Sequence, residues 1–364
     1  MNDVLLLKIE PFDVLLFRDG RPFNFTDFAS SIPYPYPTTF SGALRKLFGD
    51  LLGISTQEWN AVLGDASKSS LLFSGPFLAR DDELYVSVPK IFLVEKKKTF
   101  EDGSKKQNIS KVAGVLEIFS KVVSETDSGI IKMENSSANT EEIFWHKKSE
   151  AMEPASGFIK ADDLIEAIEG KKKPEEIEIF SERVFFSDDI RTHIRLKGRT
   201  VAEKGGKFSV RYLSLKEGAF FVVGVEKSGF EEWQKLEDSM KKSHVMRLGG
   251  EARQVKVDSI SKDSKIFSTF SKLRDLEKTD DPERIFITPL AFAGKDQFDP
   301  KIAITSRARI LRGWDYRKMS KFFGVYDAGS VFIFHNFKSI RENEDFSNFR
   351  SLGYNMNVKG GVLL

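Results

Sequence analysis

The stretch "SSIPYPYPTTFSGALRKLFGDLLG", residues 30–53, decides how the chain is read. Pro33, Pro35 and Pro37 fix φ and hold an extended lead, and Thr38, Thr39 or Ser41 is placed to cap a helix. Phe40, Ala43 and Leu44, Leu47 and Phe48, and Leu51 and Leu52 then recur at i, i+3, i+4 and i+7, so one face of that helix is apolar until Gly53 ends it. Upstream, "DVLLLKIEPFDVLLFRDGRPFNF" reads as a strand pair turning at Asp19-Gly20, a dipeptide suited to the positive φ angles of a tight hairpin. Downstream, "GPFLARDDELYVSVPKIFLVE" supplies short strands with a turn at Asp81-Asp82. Strand, helix and strands in this order suit a ferredoxin-like unit.

From Lys96 to about Lys173 the periodicity fades into "EKKKTFEDGSKKQNISK" and "SETDSGIIKMENSSANTEE", which read as an insertion projecting from the first unit. Past Ile179 strands return. "KFSVRYLSL" alternates Phe208, Val210 and Tyr212, and "GAFFVVGVE" has the length of a buried strand. "SGFEEWQKLEDSMKK" predicts a helix with Phe230, Trp233, Leu236 and Met240 along one stripe, and Ser228 and Glu231 at capping-box spacing. "ARQVKVDSI", "RIFITPLAF" and "AGSVFIF" add strands. The expected fold is α+β, with a ferredoxin-like unit over 1–178, carrying the insertion at about 96–173, and a second over 179–364 that ends in a glycine-rich loop.

The 364 residues include 33 Phe, which predicts thick aromatic cores, and no Cys, which removes disulfides, thiolate metal sites and thiol nucleophiles. "MNDVLLLKIEPF" carries an acid where a secretion signal needs positive charge, and no apolar run reaches membrane-spanning length. A cytoplasmic protein with no membrane contact is the expectation. The 56 basic residues stand against 54 acidic ones, so any nucleic-acid partner must meet local patches. Two exist. Arg183, Arg191, Arg195, Lys197, Arg199, Lys204, Lys207 and Arg211 outweigh Asp188, Asp189 and Glu203, and Arg307, Arg309, Arg312, Arg317, Lys318 and Lys321 outweigh Asp315.

The catalytic signals are weak. His146, His193, His244 and His335 are scattered without metal-ligand spacing and read as structural or surface residues. No nucleophile elbow, P-loop or dinucleotide fingerprint comes after a strand, and no metal or cofactor is expected. Asp27, in the loop before the helix, suits either a simple loop or capping role or a carboxylate near a scissile phosphate.

Binding signals are stronger. "RDGRPF" sets Arg18 and Arg21 beside a turn, which is either an ordinary hairpin tip or a place where guanidinium forks meet phosphate with Phe23 as a stacking face. Gly42 lies near the helix start with Arg45 and Lys46 one turn in, an arrangement that suits either an anion or close packing on a strand. "RLGGEAR" offers the N–H groups of Gly249 and Gly250 with Arg253, or else a bulge or turn. At the end of the chain "LGYNMNVKGG" holds Gly353, Lys359, Gly360 and Gly361, and "GVLL" reads as a docked edge strand.

Taken in order, "RDGRPF", the proline lead with "SGALRKLFG", "LGGEAR", "RGWD" with "AGSVFIF", and the glycine-rich tail resemble the CRISPR-associated RAMP proteins, of the kind that forms subunit three of the Cmr (type III-B) effector complex. The resemblance implies two facing ferredoxin-like units, relatives of the RNA-recognition fold, with the lysine-rich insertion as a thumb-like segment. It implies a noncatalytic antiviral subunit that holds the 5′ tag of the guide RNA and docks the large polymerase-like subunit and the adjoining backbone subunit. Relatives that process guides carry a histidine in the first helix, and "TTFSGALRKLFGDLLG" has none. Relatives that cut targets carry an aspartate where Asp27 stands, the basis of an alternative reading as a metal-dependent endoribonuclease.

Overall fold

The computed structural model describes residues 4–17, 29–32, 34–55, 58, 62–63, 70–95, 109–120, 142–145, 152–197, 201–292, 300–306, 308–315 and 318–363. Its first elements are strand β1 (Val4–Pro11), helix α1 (Pro37–Leu52) and strands β2 (Leu71–Arg80) and β3 (Glu83–Ser87). Next come β4 (Phe158–Lys160), α2 (Ala161–Ile168) and β5 (Glu178–Phe180). The two longest strands, β6 (Phe186–Lys197) and β7 (Val201–Leu215), form a hairpin. After them stand β8 (Ala219–Lys227), α3 (Trp233–Ser239), β9 (His244–Leu248), β10 (Arg253–Ser259) and α4 (Lys265–Glu277).

A 10-stranded sheet runs β9-β10-β1-β8-β2-β3-β4-β5 and on to Ile109–Lys111, with Leu352–Gly353 added beside β2. Within it β10, β1, β8 and β2 are successive antiparallel neighbours. Numbered by chain position they stand in the order 4-1-3-2, with α1 between the first and second and α3 between the third and fourth. The sheet therefore crosses residue 178: strands from before and after the expected division alternate in it.

The side chains explain this placement. Both faces of β8 and of the first half of β1, Val4–Leu7, are apolar, so neither strand fits at a sheet edge open to water on both sides. Leu5, Leu7 and Ile9 with Phe221, Val223 and Val225 meet Phe40, Leu44 and Phe48 of α1 and Trp233 and Leu236 of α3. Leu6, Phe220 and Val222 meet Leu164 and Ile165 of α2 and Phe270 and Leu273 of α4 on the other side. Helices thus cover both faces, and each fully buried Leu, Val or Phe contributes about 1.5–3 kcal/mol. The aromatic core expected from the Phe count is present, with Phe40 and Phe221 edge-on at 5.1 Å.

A second sheet comprises β11 (Glu283–Phe286), β12 (Pro300–Ile304), β13 (Val331–Phe334) and, after helices α5 (Phe337–Arg341) and α6 (Glu344–Ser351), β14 (Asn357–Lys359). Its order, β12-β13-β11-β14, is antiparallel and again 4-1-3-2 when read from β14. Ile285, Val331, Met356 and Val358 from this sheet share the core of α2 and α4, which joins the two sheets.

Several expectations are corrected. The first strand ends at Pro11 instead of running on to the expected turn: its partners are β8 and β10, and the chain bends at Phe12 and Asp13 so that Leu15 bridges to Leu213. The expected turn at Asp19-Gly20 lies outside the described residues. Helix α1 starts at Pro37 with Tyr36 as its cap residue and no side-chain cap, and α3 starts at Trp233, likewise without one, so Thr38 and Ser228 do not cap these helices. Parts of the supposed projecting insertion join the sheets and the core. Ile109–Lys111 pairs with β5, Met152–Pro154 pairs with Phe92–Glu95, and α2 is buried on the central sheet. No described helix is long and apolar enough to cross a membrane.

Candidate nucleic-acid interface

The β6–β7 hairpin sets Asp189 opposite Tyr212, Arg191 opposite Val210 and His193 opposite Phe208. Alternation puts all six on one face. Val14 and Leu16 pack there against Val210 and Tyr212, which brings Asp13 to the hairpin's cationic row. Arg191 donates from Nη1 and Nη2 to the two Asp13 oxygens, each at 2.8 Å, and also reaches Asp189 from Nη2 at 2.9 Å. Arg253 approaches the same Asp13 carboxylate at 3.4 Å.

From the other side comes the loop between β9 and β10. Gly249 has φ 74°, and a Cβ there would lie 2.7 Å from the Leu16 carbonyl oxygen, while the Gly250 N–H donates to that oxygen at 2.7 Å. Glu251 and Ala252 are next at φ 57° and 51°, a left-handed conformation that costs an L-residue with a side chain about 1–2 kcal/mol each. The strained turn places Glu251 Oε2 where it accepts from Tyr212 Oη and Arg253 Nη2, both at 2.8 Å. Tyr212 lies under both guanidinium groups, 4.8 Å from Arg253 and 5.5 Å from Arg191, and its hydroxyl is 2.9 Å from His193 Nε2. The His193 ring stacks on Phe208.

These contacts set the electrostatics. The hydrogen bond from Arg191 holds the Asp13 carboxyl below the usual carboxylate range against a small desolvation effect, and the same bond raises Arg191. Burial, with Glu251 adding to it, pushes the Tyr212 phenol up. The side chains of Arg191 and Arg253 remain 35% and 24% exposed, so the pair can be reached from solvent. Two guanidinium groups here face three carboxylates, Asp13, Asp189 and Glu251. An incoming phosphate would exchange for a carboxylate on a preformed fork.

The remaining described candidates from the sequence do not join this cluster. Arg18, Arg21, Phe23, Asp27 and Arg199 lie outside the described residues, as do the side chains of Arg195 and Arg312 on their strands. Gly42 sits in the second turn of α1, past the free N–H groups, and a Cβ there would touch nothing within 4 Å, so neither an anion seat nor close packing requires it. Arg45 lies 5.9 Å over the Phe73 ring, Lys46 pairs with Asp50, Arg309 faces Asp327 at 3.5 Å, and Arg211 approaches Asp188 at 3.8 Å. Within the two basic islands Arg191 and Arg309 are met by Asp13 and Asp327 from elsewhere in the chain and Arg211 by Asp188 of its own island, and a continuous cationic groove is not assembled from the described residues.

The terminal glycines meet protein. A Cβ on Gly353 would lie 2.9 Å from the Gly75 carbonyl oxygen, the Gly360 N–H donates to Glu283, and Lys359 belongs to β14. The last strand is Asn357–Lys359; Gly361–Leu363, expected as an edge strand, is a 3-10 turn. Gly361 has φ 60°, and a Cβ there would overlap the Ile168 carbonyl oxygen at the end of α2. Gly361→Ala is accordingly expected to lower stability by more than about 1 kcal/mol in urea unfolding. Unchanged stability with weakened RNA binding would instead make Gly361 an RNA contact.

Asp13, Glu251, Tyr212 and His193 escaped the sequence reading as members of a site. Asp13 and Arg191 are 178 positions apart, and only the Asp189–Arg191 and Glu251–Arg253 pairs are local.

This architecture is that of subunits of type III CRISPR effector complexes. A chain of the "Type III-B Cmr-beta bound to cognate target RNA" superposes with a TM-score of 0.55 at 13% identity, covering 97% of this chain and 96% of that one. A chain of the same assembly "bound to cognate target RNA and AMPPnP, state 1" gives 0.54 at 13% identity, with 97% and 95% covered. No curated protein matches in sequence. The family model for CRISPR-associated protein (Cas_Cmr3) matches residues 7–360, and the chain belongs to that family.

Proposed function

We propose that the chain is a noncatalytic RNA-gripping subunit of a type III-B ribonucleoprotein, which holds the 5′ tag of the guide RNA and docks the large polymerase-like subunit and the adjoining backbone subunit. Its two 4-1-3-2 sheets, residues 4–259 and 283–359, are read as the two ferredoxin-like units, so the boundary falls after β10 instead of at 178. The β6–β7 hairpin, the longest in the described chain, takes the thumb-like role expected of residues 96–173.

The observation that carries the RNA reading is the accessible guanidinium pair, Arg191 and Arg253, prepositioned by Asp13 and Glu251 over Tyr212. Strained loops and shared carboxylates of this kind hold a site ready for a ligand. Base pairing by the guide reads the target in such complexes, and protein grips backbone.

Binding of tagged guide RNA to the purified chain is expected to weaken steeply with salt. Arg191→Gln and Arg253→Gln should each reduce the slope of log K against log salt by about 0.7. Affinity indifferent to salt rejects the proposal. The same RNA incubated with magnesium should remain intact, and cleavage lost in Asp27→Ala would favour the nuclease alternative.

A further inference from the structure

Strands β9, β10 and β1 form the free end of the central sheet, and their side chains alternate between two faces. Met246, Leu248, Val255, Val257, Leu7 and Ile9 point into the core beneath α1 and α3. The opposite face carries Val245 and Arg247 from β9, Gln254, Lys256 and Asp258 from β10, and Lys8, Glu10 and Phe12 from β1 and its end. Arg247 pairs in register with Gln254, Lys256 with Glu10, and the Phe12 N–H donates to the Gln254 carbonyl. Phe12, Gln254 and Arg247 therefore lie in one row across three adjacent strands, about 10 Å from end to end at ordinary strand spacing.

That row is unusual on two counts. Phe12 is 61% exposed, the most exposed large hydrophobic side chain among the described residues, and Arg247 is exposed with Gln254 between them. The rest of the face neutralises itself: Lys8 pairs with Glu10 at 2.8 Å and Lys256 with Asp258 at 2.8 Å. No described residue pairs with the Arg247 guanidinium, so the one uncompensated charge among the described residues of this face stands at the end of the row that begins with the open aromatic ring.

We propose that Phe12, Gln254 and Arg247 form a second seat for single-stranded RNA, on the reverse face of the strands that carry Asp13 and Arg253. A base stacks on Phe12, the Gln254 amide meets the edge of that base or its neighbour, and Arg247 takes the adjoining phosphate. Exposed aromatic rings on an open antiparallel sheet are how single-stranded bases are commonly held, because every base has a face to stack. A protein partner fits less well. Besides Phe12 the face offers only Val245 as an exposed apolar group among the described residues, and a standard interface needs about 800 Å² per partner with an apolar centre. The inference rests on the RNA-binding reading above and extends it: Phe12 and Asp13, like Arg253 and Gln254, are chain neighbours, so one strand of RNA bending round the sheet's end would meet both sites.

The test uses the full chain and a labelled oligouridine at low salt. Phe12→Ala should weaken binding about tenfold, the scale of one lost base stack, and Arg247→Gln should lower the salt slope by about 0.7. Phe12→Trp should retain affinity and show emission quenching on RNA addition that the wild type, with its 4 native Trp, does not show. The Phe12 and Arg247 side chains are exposed, so thermal melting should be unchanged and loss of binding cannot be assigned to unfolding. If Arg253→Gln weakens binding while the Phe12 and Arg247 variants leave affinity, slope and emission unaffected, this seat is refuted and the RNA-binding reading stands. If the wild type binds no RNA at all, both fail. Loss of a protein subunit from the reconstituted complex, with RNA affinity intact, would also refute the seat and make the row a protein contact.

Discussion

A chain ending at Leu352 is expected to be recovered mostly insoluble, or as an expanded species that binds hydrophobic dyes and lacks near-ultraviolet dichroism. Residues 353–363 carry Tyr354, Met356 and Val358, each fully buried, and supply β14 to the second sheet. Three such side chains account for about 5–9 kcal/mol at 1.5–3 kcal/mol each. The deletion also strips Asn355, a buried residue at φ 59° whose amide donates to the Ala291 and Phe346 carbonyls while its oxygen accepts from the Ala291 N–H at 2.7 Å. Those groups would be left buried and unpaired at about 1–3 kcal/mol apiece. Against a total stability of about 5–15 kcal/mol the loss is decisive. A soluble truncated chain with an unchanged urea midpoint would show that the tail is not an anchor.

The second large effect is expected at Arg350. Its guanidinium donates to Glu277 at 2.6 and 2.9 Å and to the Phe73 carbonyl at 2.7 Å, and lies 3.9 Å from Glu226, which Arg274 also binds. The cluster thus ties α6 to α4, β2 and β8. Arg350→Met leaves the Glu277 carboxylate without its partner in a poorly solvated place, at about 3–5 kcal/mol in urea unfolding. Burial disfavours the charged arginine, but Glu277 more than offsets this and its proton affinity is raised. A raised folded-state affinity contributes stability below the ordinary arginine range and loses it only at strongly alkaline pH, so the effect should be flat across neutral pH. Adding Glu277→Leu should recover much of the loss, because an apolar pair of similar volume carries no unpaired charge. A single-variant cost under about 1 kcal/mol would mean that water reaches Glu277 once the arginine is gone.

The sequence made some of this plain and hid the rest for identifiable reasons. Helix α1 was legible because Phe40, Leu44, Leu47 and Phe48 repeat at helical spacing, and β8 because an apolar run of that length has to be buried. The partners of β1 were not legible. Its own pattern is satisfied by any two apolar strands, and nothing within it points to residues 219–227 and 253–259. Counting charge along the chain located Arg191, and the paired glycines of "RLGGEAR" located Arg253, but neither could register Asp13, since an ion pair over 178 positions leaves no periodic trace. The tail glycines were noticed for their backbone freedom, yet what approaches Gly353 and Gly361 is the chain's own carbonyls at Gly75 and Ile168. The row of Phe12, Gln254 and Arg247 exists only once three strands are laid side by side.

The position of β1 bears on how the protein is made. Its immediate neighbours in the sheet are residues 219–227 and 253–259, so on the ribosome Leu5, Leu7 and Ile9 wait for the distant half of the polypeptide. At about 5–20 residues per second that interval is on the order of ten to fifty seconds. Throughout it Leu5, Leu7 and Ile9 lack the strands that bury them, so this part of the core closes only after the second half of the polypeptide is made.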